Sequence, residues 1–260
     1  MTVSKISHWA LLNNLQINLD KTCFIQFHNY GASTHNLHIR YKGHNVNEVT
    51  ETTFLGIILD NHVNWKSHIE KVCTKVNSYT YLLSNLRRST SKDTLVTAYY
   101  AYVYSTLDYG LLLWGNSTDA NRAFMAQKKC IRAMHGLAPD TSCKHYFCQL
   151  RILTLPCMYI LRLLCFVKCN KNLFKCLKKN TTRLLRYPDR LTYTVQPKTS
   201  LYTKNCPAMC VKVFNALPAD FQTLPITRFR RIVKLWLQER CFYSVGEYFD
   251  YLDPFNYVNI

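Results

Sequence analysis

The order of apolar and polar positions divides the chain into a short β-rich segment and a longer run of helical periods. Near the start, Ile6, Trp9, Leu12 and Leu15 recur every third residue, the spacing of one helix face, although no capping residue opens that helix. Thr22-Cys23-Phe24-Ile25-Gln26-Phe27 is short, apolar and β-rich, and Asn36-Leu37-His38-Ile39-Arg40-Tyr41 alternates strictly, as a half-buried strand does. Lys42-Gly43-His44-Asn45 reads as a turn, and Phe54-Leu55-Gly56-Ile57-Ile58-Leu59-Asp60 as a further strand. Residues 20–60 are therefore expected to form a small antiparallel sheet.

From Trp65 the period changes. Trp65, Ile69, Val72, Val76, Tyr79, Leu83 and Leu86 mark one face of a long amphipathic helix, with Lys66, Lys71, Lys75, Arg87 and Arg88 largely off that stripe. Ser91 suits the N-cap of a second helix carrying Leu95, Val96, Tyr99, Val103 and Leu107, with Gly110 near its end. A third helix, after Thr118 or Asp119, carries Phe124, Lys128, Ile131 and Met134 and stops at Gly136. Helices are expected near 143–150 and over 157–178, and 183–205 reads as irregular or partly extended. Pro207 fits a helix first turn that Pro218 terminates. Phe229, Ile232, Val233, Trp236 and Leu237 describe a last basic amphipathic helix, and 243–260 is aromatic and acidic with no clear period. The predicted class is α+β, with a small sheet at 1–62, helices over 63–137, a basic and mostly helical region over 138–242 and a tail at 243–260.

Composition narrows the possibilities. With 48% hydrophobic residues in 260, the chain has enough apolar matter for a core, and 7 Gly and 8 Pro exclude collagen-like sequence. The net charge of +18 is uneven: residues 160–240 hold 17 Lys or Arg against three acids. Such a field attracts polyanions. No stretch supplies the ~20 clean apolar residues of a spanning helix, so no membrane is expected. The twelve Cys are sparse for a disulfide scaffold, and residues 1–6 lack the features of a secretory leader. Free thiols in a reducing intracellular compartment are the expectation.

Three segments read together: Trp9-x3-Asn13-x-Leu15-x2-Asn18-Leu19-x-Lys21-Thr22; Phe54-Leu55-Gly56-Ile57-x-Leu59-Asp60 with Trp65-x2-His68-Ile69; and Tyr104-Ser105-x-Leu107-x-Tyr109-Gly110, then Trp114-Gly115, then Gln127-Lys128-x2-Ile131-Arg132. Ile152-Leu153-Thr154 and Phe214-Asn215-x-Leu217-Pro218 follow. This order resembles the C-terminal third of reverse transcriptases from jockey-like non-LTR retrotransposons, over roughly residues 6–240. The resemblance implies the end of a polymerase palm, a primer-grip hairpin and a helical thumb. It places Lys21 near the incoming nucleotide's phosphates, where a cation assists the leaving pyrophosphate. It places Phe54, Leu55, Gly56 and Ile57 at the primer terminus. Lys66, Lys71, Lys75, Arg87, Arg88, Lys128 and Arg132 become phosphate contacts. RNA template and DNA primer are the implied partners, together with an upstream part of the polymerase.

The catalytic carboxylates of such enzymes, which hold two Mg²⁺ ions, would precede Trp9, and this sequence contains no Asp-Asp. The chain alone is therefore expected to be inactive. Asp60 is expected to cap the turn before Trp65. Cys143-x-His145-x2-Cys148 with Cys157 supplies four metal-ligand types, but without the Cys-x2-Cys knuckle of zinc sites. The sequence favours apolar, packed cysteines and no resident metal. Two alternatives stand beside the polymerase reading: a non-catalytic nucleic-acid-binding remnant, and a decaying copy with no selected function.

Overall fold

A computed structural model describes residues 3–29, 31, 36–41, 43–176, 191–193 and 206–257. It is an α+β structure that divides into two compact units, Met1–His68 and Ile69–Ile260.

In the first unit, helix α1 (Val3–Leu12) leads to a 3-10 turn at Leu19–Lys21. Among the described residues, three separate two-stranded pairings stand where a single antiparallel sheet was expected. Strand β1 (Cys23–Phe24) pairs in parallel with β4 (Asn47–Glu48), and β2 (Arg40–Tyr41) pairs antiparallel with β3 (His44–Asn45). Ladders of two residues are too short to recruit further strands, and so they stay separate. The expected turn at 42–45 thus contains β3, with Gly43 at φ 82°; Lys42 lies outside the described residues.

Phe54 to Asp60 is not one strand. Strands β5 (Glu51–Phe54) and β6 (Ile57–Asp60) form an antiparallel hairpin in which Phe54 faces Ile57. Leu55 and Gly56 fill its two-residue turn at φ 48° and 81°. Positive φ at both central residues matches the right-handed twist of the strands, the reason such turns close hairpins. Past the hairpin, the Asp60 carboxylate accepts the Asn64 N–H at 2.9 Å, fixing the turn as expected. The Ile58 N–H donates to His68 Nδ1 at 3.4 Å, and the Trp65 and His68 rings meet edge to face.

Helix α2 (Lys66–Ser89) opens in the first unit and continues into the second. Its Ile69, Val72, Val76 and Leu83 are buried, as the period predicted. Helix α3 (Lys92–Ala98) is capped by Ser91, whose Oγ accepts the Thr94 N–H at 3.2 Å. The chain then widens into a π-helical segment (Tyr99–Tyr104) before α4 (Ser105–Asp108) and α5 (Leu111–Trp114). Gly110 adopts φ 64° between α4 and α5. At Gly115 a side chain would sit 2.5 Å from the Tyr159 ring and 2.6 Å from the Leu111 carbonyl, so no larger residue fits. Helix α6 (Ala120–His135) ends at Gly136, φ 66°, with the Leu137 N–H reaching back to the Arg132 carbonyl.

Helix α7 (Lys144–Gln149) is short, and α8 (Leu155–Cys169) is the centre of the second unit. The Thr154 Oγ1 caps α8 and also donates to the Phe242 carbonyl. Buried residues surround α8 on nearly every side, the signature of a helix inside a bundle. It stops earlier than the 178 expected, because the Asn170 side chain donates to the Phe166 carbonyl at 2.9 Å and ends the turn. Strand β7 (Phe174–Cys176) pairs with β8 (Leu191–Tyr193), and the Asn215 amide clasps Leu191 through both its N–H and its C=O. The rest of the expected irregular stretch lies outside the described residues.

Helices α9 (Cys206–Ala216), α10 (Ala219–Thr223) and α11 (Ile226–Arg240) follow. The last element corrects the sequence reading, because Val245–Tyr257 is a helix, α12. Ser244 Oγ caps the helix by accepting the Glu247 N–H, and the Glu247 carboxylate reaches back to accept the Tyr243 N–H, one residue before the cap. Tyr248 and Leu252, one turn apart, are buried, and Tyr248 donates to the Val213 carbonyl at 2.8 Å.

Candidate nucleic-acid interface

The residues that form the recognisable motifs prove to be largely those that hold the chain together. Gln127 is the clearest case. Its side chain is fully buried, and its Nε2 donates to Tyr99 Oη at 2.8 Å and to the Leu153 carbonyl at 2.9 Å. Its Oε1 accepts the Leu155 N–H at 2.7 Å, so a single amide joins the π-helical segment, α6 and the start of α8. Burial pushes the Tyr99 hydroxyl well above its ordinary range, and it stays neutral as the acceptor of that bond. Trp114 Nε1 donates to the Tyr109 carbonyl at 3.0 Å. Asp108 receives a two-pronged ion pair from Arg162 on α8. Asn215 clasps β8, and Phe214 and Leu217 are buried beside it.

The expected site residues fall into three groups. Lys21 closes the 3-10 turn: its backbone N–H donates to the Asn18 side chain at 3.1 Å while its side chain is exposed. Asn18 and Thr22, whose hydroxyl donates to the Asn18 carbonyl at 2.6 Å, thus build a hydrogen-bonded corner that presents a cation. Phe54 and Leu55 are exposed at the hairpin tip, 62% and 73% accessible, and Ile57 is half-buried. An exposed Phe-Leu pair on a tight turn is an apolar contact surface carried by the backbone geometry of Gly56.

The third group is the set of cations. Lys66, Lys71, Lys75, Arg87 and Arg88 are all exposed on α2. Lys66 sits in the first helical turn, where a positive charge opposes the helix dipole, so helix stability does not account for it. Arg87 and Arg88 sit favourably at the other end. Arg87 also lays its guanidinium over Gly136, where a side chain would come within 1.8 Å of Nη1. Lys128 and Arg132 differ from the α2 cations. The Lys128 ammonium stands over the Phe124 and Tyr243 rings, 4.8 and 5.4 Å from their centroids, and Arg132 Nε donates to the Thr141 carbonyl at 2.9 Å. Both serve the fold.

One further group of exposed cations was not among the expected site residues. On α11 the residues Arg228, Arg230 and Arg231 are exposed, flanking the buried stripe of Phe229, Val233 and Leu237. The signal was the charge run within an amphipathic period.

Among the described residues, no group of three or more His, Cys, Asp or Glu could hold a metal ion. Cys143, Cys148 and Cys157 go separate ways. Cys143 donates to the Lys128 carbonyl and Cys157 to the Leu237 and Phe242 carbonyls, while the Cys148 sulfur meets Cys241. Burial pushes the Cys157 thiol up to about 12, which keeps it protonated as the donor to those carbonyls. No helix among the described residues is long and apolar enough to cross a membrane. No family model, no curated protein and no solved structure matches this chain.

Proposed function

We propose that this chain is the nucleic-acid-gripping part of an RNA-directed DNA polymerase of the jockey-like non-LTR type, holding an RNA–DNA hybrid without performing nucleotide transfer itself. The observation that carries the reading is the pair of basic helices. Helices α2 and α11 each bear five Lys or Arg against one acid, and most of those cations are exposed. Exposed cations of this density serve phosphate contact better than folding, since isolated surface charges add little stability. The corner at Lys21 and the apolar hairpin tip at Phe54–Leu55 suit the end of the palm and the primer grip. The reading also accounts for the first unit's surface. Trp9, Leu11, Leu12 and Leu15 are more than half exposed there, as expected of a face that an upstream part of the polymerase covers.

The test is binding of a fluorescent RNA–DNA hybrid followed by anisotropy from 50 to 200 mM salt. With about five phosphates neutralised, log K should fall against log salt with a slope of about −4. The K71A/K75A pair should lower that slope by about 2. Primer extension with Mg²⁺ should be absent. No binding at 50 mM salt, or a slope near zero, would overturn the proposal.

A further inference from the structure

The sulfurs of Cys148, next to the last residue of α7, and Cys241, just past the end of α11, lie 2.8 Å apart across 93 residues of sequence. That separation is about 0.8 Å longer than a disulfide bond. From this juxtaposition we propose that Cys148 and Cys241 form a reversible disulfide that pins the basic helix α11 to α7. The inference is independent of the nucleic-acid reading.

The surroundings assign the two roles. Cys148 is half-buried and open to a small oxidant, whereas Cys241 is fully buried and donates to the Gln238 carbonyl at 3.0 Å. Cys241 takes φ 48°, a left-handed conformation uncommon for a residue with a side chain, and it caps α11 through its N–H to the Leu237 carbonyl. That conformation fixes the direction of its side chain. Burial, then the neighbouring Cys148, raises the Cys241 thiol, so Cys148 and not Cys241 is the sulfur that the oxidant meets first.

With hydrogen peroxide as oxidant, the Cys148 sulfur attacks one peroxide oxygen. The O–O bond breaks, and the departing hydroxide takes the Cys148 proton to become water. Cys148 is left as a sulfenic acid. The Cys241 sulfur then attacks the Cys148 sulfur and expels the hydroxyl, which leaves as a second water with the Cys241 proton. Each sulfur gives up one electron, and the peroxide takes both.

The neighbouring thiols show why this pair is selected. Cys206 and Cys210 stand 3.9 Å apart, but on one helix at i and i+4. Their Cβ atoms are held ~5–6 Å apart by the helix, where a disulfide needs ~3.8 Å. Cys157 is buried beneath the Phe242 carbonyl and is not reached by the oxidant.

The whole chain is treated with graded hydrogen peroxide, quenched in acid, alkylated under denaturing conditions and read by intact mass and peptide mapping. The alkylated count should drop from twelve to ten. The cross-linked peptide should join Cys148 to Cys241, and dithiothreitol should restore twelve. Cys148→Ser, a near-isosteric change at a half-buried position, should give eleven before and after the same dose. Cys165→Ser, which removes a thiol on α8 away from the pair, should keep the link and fall from eleven to nine. A count that stays at twelve when free cysteine is fully oxidised would overturn the proposal. So would a link between other cysteines, or Cys148 ending as sulfinic acid with Cys241 still alkylated.

Discussion

The guanidinium of Arg162 forks onto the carboxylate of Asp108, with Nε 2.6 Å from one oxygen and Nη2 on the other. Asp108 ends α4 and Arg162 lies on α8, so the fork fixes the exit of the π-helical segment against the central helix. The pair also raises the Arg162 guanidinium further, through the hydrogen bond to Asp108. An acid that a polymerase reading would examine for catalysis is thereby occupied in folding. Asp108→Ala is expected to lower stability by about 1–2 kcal/mol, the modest size reflecting the partial exposure of Arg162. Arg162→Lys, with Asp108 in place, should retain less than half of the pair's contribution, because an ammonium cannot fork. Urea denaturation of both single variants and the double variant gives the coupling; additive losses would refute it.

Gln127 joins three segments through one buried amide, and its loss strands their polar groups. Gln127→Leu should cost on the order of 3 kcal/mol, since the Leu153 carbonyl and the Leu155 N–H lose their partner without access to water. Gln127→Glu should be worse, because it buries a charge at a fully enclosed position. Thermal melts rank the three proteins, and a Gln127→Leu protein as stable as the parent would contradict the hub role.

Leu55 occupies a left-handed conformation at the hairpin tip, a cost of about 1–2 kcal/mol for a residue with a side chain. Leu55→Gly should therefore slow amide exchange across Glu51–Asp60. It should also weaken hybrid binding by removing an exposed apolar side chain. Gaining order while losing affinity is the outcome expected of a residue kept for contact. Unchanged affinity would remove Leu55 from the interface.

His135 ends α6, and its ring packs on Tyr146 at 4.5 Å between centroids. Its Nε2 is buried with no hydrogen-bond partner among the described residues. Burial first, then the charge of Lys92, holds the imidazole below its usual value near 6.5. The folded state therefore resists the proton that the unfolded chain accepts. This contribution to stability is complete above about 6.5 and is lost as pH falls toward and through the depressed folded value. The melting temperature should drop between pH 7 and pH 5, and His135→Phe should flatten the drop. Parallel curves for the two proteins would count against the assignment.

How much was legible beforehand differs from element to element. Helix α2, the Ser91 cap and the Gly136 stop were readable because each depends on residues within four positions. A 3.6-residue period and a cap leave their mark in local order. Helix α12 was hidden although Ser244 and Glu247 signal its start, because aromatic residues all round mask the stripe of Tyr248 and Leu252. The exposed cations of α2 were visible as charges off an apolar stripe. The same reasoning could not separate them from Lys128, whose ammonium is drawn onto aromatic rings, one of them more than a hundred residues away.

The sequence by itself determined the α+β character, the positions of most helices, the Ser91 cap and Gly136 stop, and the excess of positive charge. Those properties follow from composition and from neighbours in the chain. Only the tertiary structure decided that residues 20–60 form separate pairings, that Asp108 belongs to Arg162, that Gln127 holds three segments and that Cys148 meets Cys241. The last three join residues tens of positions apart, and so does the pairing of Cys23 with Asn47. Such a partner is selected by how helices pack and by which polar groups would otherwise be stranded, and neither leaves a periodic trace in the chain.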